Sequence, residues 1–108
     1  MKKLMFLNAL VMGLIAQQSV ATAKPARCFS TDDGYFACNF IATDKRGSFE
    51  VSARGKPTYS LIVEEPGFGS AYLNFGDGGI PINGMFVRQR EDPACWNNPE
   101  RNVKLCAW

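Results

Sequence analysis

Two hydrophobicity patterns divide this chain. From Leu4 to Ala16 the residues are apolar with the exception of Asn8, whereas the rest of the sequence alternates apolar and polar positions with a period of two. Period two places successive side chains on opposite faces of a strand. Tyr35 to Thr43 puts Phe36, Cys38 and Phe40 on one face and stops at Asp44-Lys45-Arg46-Gly47. Ser48 to Ala53 follows with Phe49, Val51 and Ala53 on one face, so the two segments predict a hairpin. Lys56-Pro57 breaks the chain before Thr58 to Glu65, a strand centred on Tyr59-Ser60-Leu61-Ile62-Val63. Pro66-Gly67-Phe68-Gly69 then turns into Ser70 to Phe75, with Ala71, Leu73 and Phe75 on one side.

Punctuation is denser in the last third. Gly76-Asp77-Gly78-Gly79 reads as a turn. Ile80-Pro81-Ile82 reads as an edge strand, because proline lacks a backbone donor, and Asn83-Gly84 is a hairpin signal. Met85 to Asp92 fits a strand with Met85, Val87 and Gln89 on one face, or two helical turns; the glycines before it and Pro93 after it favour the strand. The pattern predicts an all-β fold, a small antiparallel barrel or sandwich of about six to eight short strands.

The initial apolar run has a different meaning. Met1-Lys2-Lys3 is a short positive start, and Ala21-Thr22-Ala23 supplies the small residues that signal peptidase requires, so residues 1–23 read as a secretory signal peptide cleaved before Lys24. The apolar run of about 13 residues is short of the roughly 20 that cross a bilayer, which argues against a membrane anchor. The first cysteine follows Lys24-Pro25-Ala26-Arg27, not the small residues directly, so a lipoprotein signal is not indicated. Residues 24–108 then form a single exported domain, periplasmic or secreted, with no membrane insertion after cleavage.

Removing the signal changes the charge. The full chain has 12 basic and 10 acidic residues, and loss of Lys2 and Lys3 balances the two. A neutral domain has no global field to draw in nucleic acid. There is no histidine, so the usual general base and commonest metal ligand are missing.

A domain of this size has a small core and benefits from covalent constraint. Four cysteines in an exported chain imply two disulfides, with three connectivities open. The stretch between Cys28 and Cys38 is symmetric about Asp33, so a three-residue Asp32-Asp33-Gly34 loop would set the cysteines opposite each other, with Gly34 at positive φ. A four-residue loop Pro99-Glu100-Arg101-Asn102 sets Cys95 opposite Cys106. Local pairing, Cys28–Cys38 with Cys95–Cys106, is favoured; the rival is Cys28–Cys106 with Cys38–Cys95. No C-x-x-C motif suggests redox or metal chemistry.

Candidate chemistry is sparse. The serines have no histidine to activate them and no nucleophile motif. Asp32, Asp33, Glu64, Glu65, Asp77, Glu91 and Asp92 supply carboxylates for a glycan hydrolase, but six of them are neighbouring pairs of the kind that solvate turns and strand ends. The Gly76–Gly79 segment lacks the residues of a phosphate or calcium loop. Neither catalytic residue, metal nor cofactor is assigned. Binding is better represented: Arg88 and Arg90 would share a strand face as a cationic fork, and Phe68, between two glycines, is hard to bury. Phe68, Tyr72, Arg88 and Arg90 form the candidate binding surface, with Trp96 and Trp108 as further aromatic candidates.

At Gly55-Lys56-Pro57-Thr58-Tyr59-Ser60-Leu61, Asp92-Pro93-Ala94-Cys95-Trp96 and Cys106-Ala107-Trp108 the chain resembles small uncharacterised secreted proteins of proteobacteria. The resemblance implies export and transfers no activity. Periplasmic lysozyme inhibitors are similar in fold class, as small disulfide-bearing β-barrels, but Ser70-Ala71-Tyr72 departs from their S-G-x-x-Y loop. The expectation is a non-catalytic binding module for an envelope component, a glycan or a protein, such as an inhibitor; a small hydrolase using paired carboxylates is the alternative.

Overall fold

The computed structural model describes residues 22–108, so the signal peptide expected over residues 1–23 lies almost wholly outside the described residues. The alternating segments form eight strands: β1 (Lys24–Ser30), β2 (Gly34–Ala42), β3 (Phe49–Ser52), β4 (Thr58–Glu65), β5 (Phe68–Asn74), β6 (Gly79–Arg88), β7 (Cys95–Asn98) and β8 (Val103–Ala107). Each pairs antiparallel with the next. β8 returns to β1 through Cys28↔Ala107, Phe29↔Cys106 and Ser30↔Leu105, closing an up-and-down barrel. Closure removes the sheet edges that a sandwich would leave open.

An eight-stranded barrel is just wide enough for side chains to fill. Leu61, Phe86, Leu105 and Val51 are fully buried there, with Tyr59, Trp96 and the Cys28–Cys38 bridge in the same cluster. The second disulfide, Cys95–Cys106, is also buried but faces the other side of β7 and β8, because the neighbouring Trp96 and Leu105 point inward. Both local pairings are formed. Two such bridges are consistent with an oxidising compartment outside the cytoplasm.

The β7–β8 register is the expected one, Cys95↔Cys106 through Asn98↔Val103, with Asn102 at φ 56° closing the four-residue loop. The first hairpin differs. Cys28 faces Phe36 and Cys38 faces Ala26, so the loop is 31–33, one residue earlier than the expected Asp32-Asp33-Gly34. Gly34, at φ 71°, pairs with Ser30. The Ser30 hydroxyl accepts the Asp33 amide at 3.0 Å and lies 3.0 Å from the Tyr59 hydroxyl, and these bonds favour the earlier closure. Because the cysteines are now offset by two, they still share the inner face and bridge diagonally, with Cα atoms 6.0 Å apart.

The Asn83-Gly84 hairpin is absent. Both residues lie within β6, where the register with β5 jumps from Gly69↔Phe86 to Ala71↔Ile82, leaving a bulge of residues 83–85 opposite Ser70. Asn98 explains why the strand continues. Fully buried, its amide donates to the Asn83 carbonyl at 2.8 Å and its oxygen accepts the Glu100 and Arg101 amides, so a side chain ties β7 to β6 where the ladder does not reach. The β6–β7 ladder contains only Val87↔Asn97 and Arg88↔Trp96. Pro81 therefore pairs with Tyr72 on one side and needs no donor on the other, a local edge inside a closed barrel. Three further expectations shift: Ala53 and Phe75 fall beyond the ends of β3 and β5, and Met85 onward is strand as far as Arg88, with no helix.

Candidate binding surface

Strand order puts the barrel's two ends to different uses. One end carries the connections 31–33, 53–57, 75–78 and 99–102, and the other carries 43–48, 66–67 and 89–94. The expected binding residues belong to the second end and the adjoining outer wall. The Pro66-Gly67 turn starts β5 with Phe68 pointing out, because Gly69, Ala71 and Leu73 take the inward positions. Phe68 is 44% exposed and paired with Val87, itself 37% exposed. Ile62 of β4 and Met85 in the bulge also face solvent on this wall. Tyr72 lies on the same outer face, half-buried between Ser60 and Pro81, about 13 Å along the strand from Phe68.

Arg88 is brought to the same corner, since its amide donates to the Gly67 carbonyl at 2.9 Å. Its side chain takes the inward parity of β6 and reaches the barrel mouth, where the guanidinium lies 5.6 Å from the centre of the Trp96 ring and Nε donates to the Pro93 carbonyl at 2.7 Å. Arg90 does not join it. The strand ends at Arg88, the Gln89 amide turns to the Cys95 carbonyl, and Arg90 sits exposed in the 89–94 connection, so the two-cation strand face does not form.

Three groupings escaped the sequence reading. Arg46, from the β2–β3 connection, joins Arg88, Val63, Pro66, Gly67 and Trp96 around a cleft of about 340 Å³. Its Nη2 donates to the Glu64 carbonyl at 2.7 Å. Asp44, whose carboxyl is held below its ordinary range chiefly by a hydrogen bond from the Ser48 hydroxyl, organises that connection through the Ser48 and Arg46 amides.

The second grouping is on the outer wall of β1 and β2. Tyr35 stacks on Trp108 with ring centres 6.0 Å apart and planes at 25°, and the Arg27 guanidinium lies 4.7 Å from the Tyr35 ring centre. The Trp108 indole is fixed by donating to Asp92 at 2.9 Å.

The third is a polar cluster at the opposite end. The Tyr59 hydroxyl donates to Asp33 at 2.6 Å, beside buried Ser30, while Lys56 stands 3.8 Å from the other Asp33 oxygen and over the Phe36 ring. Burial and the bond to Asp33 push the Tyr59 phenol up to about 12. With the phenol donating to Asp33 and its oxygen in contact with the Ser30 hydroxyl, both bonding capacities are taken up inside the cluster, which reads as a structural plug. Tyr59 is separated from Asp33 and Ser30 by 26 and 29 positions, so spacing could not have joined it to them.

No group of histidine, cysteine and acidic side chains among the described residues is arranged to hold a metal ion. No acidic side chain lines any of the four clefts described on the surface. Comparison of the chain with protein-family models, with curated proteins and with solved structures gave no match in any of the three.

Proposed function

We propose that the protein is an exported, non-catalytic binding module of the bacterial envelope or exterior, and that it holds a protein partner against the outer wall of β4, β5 and β6. The observation carrying this reading is the Phe68–Val87 pair, two large apolar side chains directly opposed and facing solvent, extended by Ile62 and Met85. The barrel interior is already filled, and the exposed apolar strip, with Arg46 and Arg88 at its end and the exposed Glu64 and Glu65 along β4, suits a partner whose apolar contact carries charges of both signs at its edge, an acid among them facing the two arginines.

The test is affinity capture from an envelope extract by the oxidised protein and by a Phe68→Ser/Val87→Ser variant, followed by titration of the purified captured protein against both. A partner bound by the parent and weakened at least tenfold by the variant supports the reading. Identical capture by both proteins refutes it, as does self-association as the sole interaction through this wall.

A second reading rests on the Tyr35–Trp108 stack, whose exposed rings and adjacent Arg27 are suited to a sugar face. It predicts sedimentation with peptidoglycan that Tyr35→Ala abolishes and Phe68→Ser leaves intact.

A further inference from the structure

We propose that the cleft between Arg46 and Arg88 is a receptor for one carboxylate, an aspartate or glutamate side chain presented by the protein partner. Two cations from separate parts of the chain, the 43–48 connection and the end of β6, line this one opening. Each is anchored by a backbone carbonyl: Arg88 Nε by Pro93 and Arg46 Nη2 by Glu64, both at 2.7 Å. Carbonyls orient a guanidinium without neutralising it. The single ion pair among the described residues, Lys56 with Asp33, is at the other end of the barrel. Asp44 feels the charge of Arg46 but forms no ion pair with it and accepts the amides of its own connection, and the Glu64 carboxylate is engaged by the Ser70 hydroxyl. Neither Nη group of Arg88 has a hydrogen-bond acceptor among the described residues.

The floor strengthens the case. Trp96 and Val63 are 3% and 6% exposed, so an anion seated here has an apolar wall behind it, and charge-assisted bonds gain where water is thinned. Two pre-oriented guanidiniums give a planar carboxylate several N–H donors at little ordering cost. The choice of a protein as the carboxylate's source rests on the reading of the outer wall: Gly67 lines the cleft and precedes Phe68, and Val87 precedes Arg88, so the cleft and the apolar strip are continuous.

The experiment is an NMR titration of the oxidised protein, following Arg88 Nε and the Trp96 indole N–H. N-acetylglutamate α-amide is the probe, N-acetylglutamine α-amide its uncharged isostere, and glucuronate and inorganic phosphate report other anion sources. The expected result is a saturable shift with the glutamate probe, at least tenfold weaker with the isostere and at least tenfold weaker in Arg88→Gln and Arg46→Gln. Arg46 is exposed and outside the core, so its variant keeps the test open if Arg88→Gln loosens the packing on Trp96. No saturable shift, or shifts unchanged in both variants, would overturn the carboxylate site. Tighter binding of glucuronate or phosphate than of the glutamate probe would overturn the protein side chain as its source. Phe68→Ser/Val87→Ser leaves these small-molecule shifts intact, so failure of the cleft and failure of the apolar wall are read separately.

Discussion

Replacing Gly84 with alanine tests whether the β6 bulge depends on close approach to Asn98. A Cβ at Gly84 would stand 2.7 Å from Asn98 Oδ1 and 2.8 Å from Nδ2, nearer than non-bonded atoms approach, while the backbone at φ 103° disfavours any L side chain. The backbone contribution is about 1–2 kcal/mol. Asn98 is fully buried and makes three hydrogen bonds, to the Asn83 carbonyl and from the Glu100 and Arg101 amides, so displacing it adds roughly 2–3 kcal/mol. Gly84→Ala is therefore expected to destabilise by about 4 kcal/mol in urea unfolding of the oxidised protein. Gly34→Ala is the control, since Gly34 also has positive φ but nothing within 4 Å of its Cβ position; it should lose only about 1 kcal/mol. Asn98→Ala alone should cost about 3 kcal/mol, and adding Gly84→Ala to it should cost only the backbone strain. The resulting cycle has a coupling of about 2 kcal/mol. A Gly84→Ala loss no larger than that of Gly34→Ala, or strict additivity with Asn98→Ala, would refute the account of the bulge.

Three other outcomes follow from the same structure. The Tyr59 phenol titrates at about 12 in the fold against an ordinary 10, so its contribution is complete below pH 10 and is lost as pH rises through 12; the alkaline fall in stability should be shallower in Tyr59→Phe, and an equal fall in both would exclude the plug as its source. The Ser48 hydroxyl, 1% exposed, accepts the Val63 amide at 2.8 Å, so Ser48→Ala should lower unfolding free energy by about 1–2 kcal/mol, and a change under about 0.3 would show that water replaces it. Each disulfide closes a loop of 10 or 11 positions, contributing up to about 3 kcal/mol, so dithiothreitol should lower the melting temperature markedly while peptide mapping of the unreduced protein recovers the Cys28–Cys38 pair; an unchanged melt would remove the bridges from the account of stability.

The strands and both disulfides were legible because they depend on short-range quantities. Alternation in Tyr35 to Thr43, Ser48 to Ala53 and Thr58 to Glu65 selects the inward rows, and the chemistry of Pro99 to Asn102 sets the β7–β8 register. Where a local rule failed, a distant side chain overrode it. Ser30 bonds Tyr59 from 29 positions away and moves the first loop by one residue, and Asn98 bonds Asn83 from 15 positions away and turns a hairpin signal into a bulge.

The candidate site shows the same boundary. Phe68 between two glycines announces its exposure, because a large side chain beside a tight turn has little core to reach. Nothing in the sequence joins Arg46 to Arg88, since the two meet only after β4 and β6 have been placed around Val63 and Trp96. Sequence by itself determined the all-β alternation and favoured, without deciding, the cysteine pairs that the structure forms. Tertiary structure decided closure, the bulge and the meeting of Arg46 and Arg88 at one cleft, because a barrel brings together residues that no repeat or spacing along the chain connects.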